Sequence, residues 1–146
     1  MGLFQSFNIS ASGMTAERFR TDIIAENIAN VNTTRTASGE PYRRKIVTFA
    51  EKQVTPFSQY YSHSKNAVAG NGVKVSKVTE DYENDFVMEY DPANPDADEN
   101  GYVAYPNVNT VTEMTDMIDA SRSYEANVTA FNASKNMQLK ALEIGK

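Results

Sequence analysis

Val108–Lys146 reads VNTVTEMTDMIDASRSYEANVTAFNASKNMQLKALEIGK, a run with no Pro and no Gly before Gly145. That is room for about 37 residues of continuous helix, roughly 55 Å at 1.5 Å per residue. Asn107 or Asn109 is a natural cap, because a short side-chain oxygen there accepts from first-turn N–H groups. Thr112 and Glu113 fall in the first turn, where negative charge meets the positive end of the helix dipole. Met114, Met117, Ser121, Tyr124, Val128 and Phe131 then recur at steps of 3, 4, 3, 4 and 3. This is the period of a coiled-coil seam. Beyond it the pattern meets Lys135 and Gln138 and moves to Leu139 and Leu142. A changing seam predicts different neighbours along the helix. A compact domain of this size is only about 30–35 Å across, so the helix either protrudes or lies along partners. Its apolar flank must be packed, since propensity alone does not hold an isolated helix. The N-terminal segment is the first partner within reach, and other subunits are the second.

Working outward, Leu3 to about Asn32 contains no Pro and a single Gly, Gly13. Ser6 or Asn8 is placed to start a helix. On a 3.6-residue wheel Phe7, Ala11, Met14, Ala25 and Ile28 share one side, and Ile9, Ala16, Phe19 and Ile23 fall nearly opposite. Thr15, Glu17, Asp22 and Glu26 lie between. A surface helix of a lone globule shows one apolar stripe. Two stripes fit a helix gripped from two sides, in a bundle or a polymer wall, and equally a central core helix of one domain.

The middle opens on a polar loop, Asn32–Pro41. Tyr42–Phe49, Val73–Val78 and Phe86–Tyr90 have the β-rich composition of strands, and the second alternates strictly after Gly70-Asn71-Gly72. Residues 58–72 read as a mobile loop holding the only histidine, His63. Residues 91–101, rich in Pro, Asn and Asp, read as a tight turn. The expected fold is α+β: long N- and C-terminal helices pairing as a coiled coil, with a small β-rich middle region and loops. The expected division is 1–33, 34–106 and 107–146.

Composition narrows the function. The 146 residues carry a net charge of −5, which argues against a nucleic-acid binder, whose basic face must replace phosphate counterions. Cysteine is absent, so there is no disulfide framework, thiolate nucleophile or zinc–thiolate site. That also suits a protein exported unfolded. No stretch reaches the ~18–20 apolar residues of a membrane span. The N-terminus lacks the basic and apolar regions of a cleavable secretory signal. Met1–Ser6 fits a myristoylation pattern that is short and frequent by chance.

No group of residues assembles an active site. His63 has no second His or Cys to complete a metal site or nucleophile pair. Asp96, Asp98, Asn100 and Gly101 occupy positions 1, 3, 5 and 6 of an EF-hand-like loop, with Val103 at position 8. Position 12 is Asn107 rather than the bidentate Glu that completes a calcium shell, and Pro92 and Pro95 bar an entering helix. Glu80/Asp81 and Asp116/Asp119 are paired carboxylates; the second pair is expected on a solvated face away from the seam. Gly70-Asn71-Gly72 has too few glycines for a phosphate loop. No cofactor and no metal are expected.

Several strings resemble a known family. Ile9-Ser10-Ala11-Ser12-Gly13-Met14-Thr15-Ala16-Glu17-Arg18, followed by Ala25–Thr33 (AENIANVNT), is similar to the signature shared by bacterial flagellar rod and hook proteins. Tyr42-Arg43-Arg44-Lys45 resembles the segment entering their middle region. Tyr90-Asp91-Pro92, Asn94–Ala97, Gly101–Asn109 (GYVAYPNVN) and Glu113–Val128 (EMTDMIDASRSYEANV) resemble the basal-body rod family, and within it the proximal rod. Ala93-Asn94 departs from that pattern, where a small residue is often followed by His.

The resemblance implies a non-enzymatic subunit that leaves the cytoplasm through the flagellar type III export apparatus. It implies helical polymerisation, with copies of itself and other rod proteins, into a drive shaft around the export channel in the cell envelope. Terminal helices there order on assembly, which suits seams that need partners. On this reading the assembly interface comprises Phe7, Met14, Phe19, Ile23, Asn27, Ile28, Asn30 and Asn32 of the first helix. From the last it takes Met114, Met117, Ser121, Tyr124, Val128, Phe131, Leu139 and Leu142. The three asparagines are candidates for setting register, and also suit a helix end followed by a turn. The alternatives are another axial protein of the rod and hook class and, of a different class, a calcium-regulated module built on Asp96–Asn107.

Overall fold

A computed structural model of the chain describes residues 4–52 and 70–144. His63 and most of the expected 58–72 loop lie outside the described residues, as do Met1–Leu3 of the myristoylation pattern. The elements run α1 (Gln5–Ala29), β1 (Lys45–Glu51), β2 (Val73–Glu80), β3 (Val87–Tyr90), β4 (Tyr102–Tyr105) and α2 (Thr110–Glu143). β1 pairs with β2 in one two-stranded sheet, and β3 with β4 in another. The architecture is α+β, two long terminal helices with a small β middle. α2 has 34 residues, about 51 Å of helix.

Asn109, not Asn107, caps α2: its Oδ1 accepts from the Val111 and Thr112 N–H groups at 3.0 and 3.2 Å. β1 starts three residues later than the sequence suggests, because the donors ahead of it go elsewhere. Tyr42 N–H bonds Thr33 O, and Arg44 N–H bonds Asn107 Oδ1. β4 was not expected. It is only four residues long and is joined to β3 by an eleven-residue connection, so no two-residue hairpin signal marks it.

The chain divides into two compact units. The first comprises Met1–Phe19, Phe49–Ser76 and Ala120–Lys146; the second comprises Arg20–Thr48 and Lys77–Asp119.

In the first unit the helices run antiparallel: the Phe7 and Phe131 rings lie 4.7 Å apart, and further along Gly13 faces Asn127. Small side chains, Ser10, Ala16 and Ala120, are buried. Ser12 ties α1 to the start of β2: its Oγ accepts from Val73 N–H at 3.0 Å and donates to Ile9 O at 2.7 Å. Gly72 makes this approach possible. Its φ is +92°, and a Cβ there would stand 2.2 Å from Ser12 Oγ.

In the second unit β3 and β4 pair antiparallel, with Val87 opposite Tyr105 and Tyr90 opposite Tyr102. The connection between them folds on its own carboxylates and amides. Asp91, Asn94 and Asp98 each accept from an N–H two residues on, the Asx-turn geometry. Val103, Val108, Tyr42 and Ile24 form the buried apolar part of this unit.

Candidate functional site

The least exposed large side chains are Glu113, Val103 and Asn27, and two of these are polar. Burying a polar group is costly unless every hydrogen-bonding position is filled. At Asn27 all four are. Its Nδ2 donates to Lys45 O at 2.9 Å and to Glu113 Oε2 at 3.0 Å. Its Oδ1 accepts from Tyr42 O–H at 2.8 Å and from Lys45 N–H at 2.9 Å. One side chain of α1 thus fixes the start of β1 and the first turn of α2.

The Glu113 carboxylate is shared with Arg44, whose Nε donates to Oε1 at 2.6 Å. Arg44 Nη2 also reaches Asp116 at 3.3 Å, and Asp116 meets Arg20 of α1 at 3.5 Å. Asp116 is therefore not on a solvated face, as the sequence suggests; two arginines turn it toward α1. The first-turn position of Glu113 is also explained differently, since the residue is committed to Asn27 and Arg44 rather than to solvent at the helix end.

The four residues Tyr42–Lys45 divide the work. Tyr42 bonds Asn27. Burial pushes its hydroxyl well above the usual tyrosine range, with Glu26, Glu113 and Glu80 adding to the effect. It therefore remains a donor at all physiological pH. The Arg43 guanidinium lies between the Tyr82 and Phe86 rings, 4.5 and 4.2 Å from their centroids, and bonds Asp81 O. Arg44 serves Glu113, and Lys45 pairs with Glu26.

Asn107 completes the frame. It accepts from Arg44 N–H and donates to Asp81 O and Asn84 O, each at 3.0 Å. The Asp81 carboxylate is held below the usual range chiefly by the Asn84 side chain, with help from the Asn84 and Glu83 N–H groups. Patterning picks out Asn27, Glu113 and Tyr42–Lys45 separately, but none of the bonds that join them. The available signals were the Tyr42–Lys45 string and an Asn–Glu–Arg set on three elements.

The residues expected at the assembly interface distribute as follows. Phe7 and Phe131 meet each other. Asn27 is buried in the network above. Asn30 donates to Glu26 O and accepts from Thr33, closing the end of α1, and Asn32 is exposed. Met14, Ile23, Ile28, Met117 and Val128 are half-buried. Phe19, Met114, Ser121, Tyr124, Leu139 and Leu142 are exposed. From Glu113 on, the covered positions of α2 are Glu113, Asp116, Met117, Ala120, Ser123, Asn127, Val128, Phe131, Ser134 and Gln138, which keep a helical-face spacing. That side shares Met117, Val128 and Phe131 with the apolar series, and has Glu113 and Ala120 where the series has Met114 and Ser121. Val111, Met114 and Ile118, spaced 3 and 4, stay open at 53–74 % exposure.

The calcium geometry does not form. Asp96 binds Thr34 and Arg35, and Asp98 caps the N–H groups of Asn100 and Tyr102. Among the described residues no three His, Cys, Asp or Glu side chains approach closely enough to hold a metal ion. No described helix is long and apolar enough to cross a membrane.

Residues 7–35 match the family described as flagella basal body rod protein, and residues 99–144 match the flagellar basal body rod FlgEFG protein C-terminal family. Three relatives are each named flagellar basal-body rod protein FlgC. That of Bacillus subtilis is 52 % identical over the whole of both chains. That of Borreliella burgdorferi is 46 % identical over 99 % of this chain and 98 % of its own. That of Escherichia coli O6:H1 is 40 % identical over the whole of both. The chain belongs to the FlgC family of flagellar basal-body rod proteins, structural subunits of the basal body.

Proposed function

We propose that the chain is a proximal-rod subunit without enzymatic activity, which polymerises helically through α1 and α2 with copies of itself and other rod proteins. The observation that carries this reading is the set of large apolar side chains that α2 leaves exposed. Val111, Met114 and Ile118 near one end, and Leu139 and Leu142 near the other, are exposed on a helix whose covered positions are shared between Met117, Val128 and Phe131 and small or polar residues such as Glu113, Ala120 and Asn127. Large apolar side chains left exposed in clusters of this kind mark an interface. Residues 1–33 and 107–146 supply the assembly helices, and 34–106 supply the outward middle region. The sixteen interface residues named from the sequence are the proposed contact set, with Asn27 acting inside the subunit to fix the helix pair. Absence of cysteine suits passage through the type III export apparatus as an unfolded chain, and so does terminal helix order that is completed only on assembly.

Deletion of Val128–Lys146 tests the reading. It removes Phe131, Leu139 and Leu142 and leaves the Asn27 network intact. The expected outcome is a soluble, folded middle region in cells that build no rod and do not swim. Normal motility of the deletion strain would refute the assembly role.

A further inference from the structure

The β3–β4 hairpin has two outer edges, and the chain treats them differently. Val87 pairs with Tyr105, Met88 with Ala104, Glu89 with Val103 and Tyr90 with Tyr102. One step further in the same register, Asp91 N–H bonds Gly101 O at 3.0 Å. Bonded and unbonded pairs alternate along an antiparallel ladder. Val87 and Glu89 therefore turn their N–H and C=O groups inward to β4, and Met88 and Tyr90 turn theirs outward. On β4 the outward residues are Tyr102 and Ala104. At Tyr102 the preceding connection folds over the edge. The Tyr102 C=O accepts from Asp98 N–H at 2.9 Å, and its N–H donates to Asp98 Oδ1 at 2.8 Å. Along β3 nothing comparable lies. Among the described residues no group bonds the outward N–H and C=O of Met88 or Tyr90, and all four residues of β3 are exposed.

An open edge is a template for a further strand, and sheets commonly blunt it with lysine, proline or a bulge. β3 has no lysine or proline, and its register is unbroken. The nature of the added strand follows from its neighbours. Residues 78–121 contain twelve of the nineteen acidic residues and none of the fourteen basic ones. Glu89, within β3, makes no ion pair among the described residues. A residue set opposite Glu89 on an added strand shares its face, so lysine or arginine is favoured there. Residues opposite Met88 and Tyr90 fall on the other face. There the Tyr90 and Tyr102 rings meet edge-on at 5.3 Å, and Met88 is 55 % exposed. Apolar side chains on the added strand would extend that row. The β3 edge of a second copy does not fit. With Met88 opposite Tyr90 it sets Glu89 against Glu89, and like charges directly opposite are destabilising.

We propose that the outer edge of β3 accepts an extended segment of another rod protein, in which a lysine or arginine is flanked on both sides by apolar residues. The outward backbone groups of Met88 and Tyr90 supply the hydrogen bonds of strand addition, and Glu89 selects the partner. The proposal rests on the rod reading above and adds a contact outside the terminal helices.

The photo-cross-linker p-benzoylphenylalanine is placed at Tyr90 of the full-length chain, which replaces the resident subunit in cells. Basal bodies are purified and irradiated, and the cross-linked peptide is sequenced. One adduct is expected, with a segment of another rod protein in the order apolar, basic, apolar. Met88→Pro removes an outward N–H and leaves the ladder to β4 whole. It should lower the adduct per incorporated chain by about tenfold, and Met88→Val should not. Glu89→Lys should lower it similarly, and Glu89→Gln by less. If Met88→Pro chains are missing from basal bodies, the Glu89→Lys yield decides. Basal bodies that contain the chain but give no adduct overturn the docking and leave the rod reading standing. So does an adduct with a second copy, an adduct with a segment lacking that order, or one that Met88→Pro or Glu89→Lys leaves unchanged. If the unaltered chain is missing from basal bodies, the rod reading itself fails.

Discussion

The same two helices are joined in opposite ways in the two units. In the unit that holds Arg20–Thr48 and Lys77–Asp119, the join is a saturated polar network centred on Asn27, Glu113 and Arg44. In the other it is one aromatic contact, Phe7 on Phe131, and a run of small residues. A saturated buried network is specific, because no shifted register fills every position of Asn27. Small-residue contacts are forgiving, because a neighbouring side chain can yield. The first join suits a fixed frame within the subunit. The second suits helix ends whose order is completed by neighbours.

The largest effect expected from this contrast is at Asn27. In Asn27→Ala the Tyr42 hydroxyl, the N–H and C=O of Lys45 and one oxygen of Glu113 all lose a partner. Each buried group left unpaired costs about 1–3 kcal/mol, and water entering the small cavity recovers part of it. A loss of about 4 kcal/mol is expected in urea unfolding of the full chain. A loss below about 1 kcal/mol would mean that the network does not hold the helix pair, and the contrast would collapse.

Tyr42→Phe sharpens the same point through pH. The folded-state pKa of Tyr42 lies above its ordinary value of 10.0. The stabilisation from the neutral, buried hydroxyl is therefore fully present below about pH 10 and is lost as pH rises from there toward the folded value. Removing the hydroxyl costs about 1 kcal/mol at pH 7, one net hydrogen bond, with the Lys45 N–H still serving Asn27. It also removes this residue's share of the alkaline loss. Unfolding curves of both chains between pH 7 and 11 should converge with rising pH; parallel curves would place the titrating group elsewhere.

These expectations depend on features that were unequally legible in the sequence. Both long helices were readable, because neither contains Pro and their apolar residues are periodic. The period on α2 was legible, but only Met117, Val128 and Phe131 of the apolar series lie on the side covered within the chain. A search for apolar spacing finds Met114, Ser121 and Tyr124, while the covered side holds Glu113, Ala120 and Asn127. Those side chains are small or polar, so their burial leaves no hydropathy signal. Asn27 drew attention as a register residue, but its partners sit 15, 18 and 86 positions away. No local pattern connects positions so distant. Asp116 misled for the same reason: a carboxylate on a helix reads as solvated until Arg20 and Arg44 are seen beside it. In the 91–101 turn, the spacing that resembles a calcium loop is explained by backbone capping, which uses the same residue types.

Gly13→Ala probes the forgiving join, and two opposed terms of similar size decide it. Alanine in the middle of a helix is favoured over glycine by about 1 kcal/mol. The added methyl would stand 2.6 Å from Asn127 Oδ1 and 2.9 Å from Cγ, so the amide must turn away. Turning forfeits its bond to Ser123 O, now 2.8 Å, and displaces a rotamer, together about 1 kcal/mol. The net change expected is within about 0.5 kcal/mol of zero. Asn127→Ala removes the obstacle, so in that background Gly13→Ala should stabilise by about 1 kcal/mol, a coupling that a double-mutant cycle reads directly. A cost above about 2 kcal/mol for Gly13→Ala alone, unrelieved by Asn127→Ala, would mean that the helices meet backbone to backbone at this point. The small-residue join would then be as strict in register as the network around Asn27.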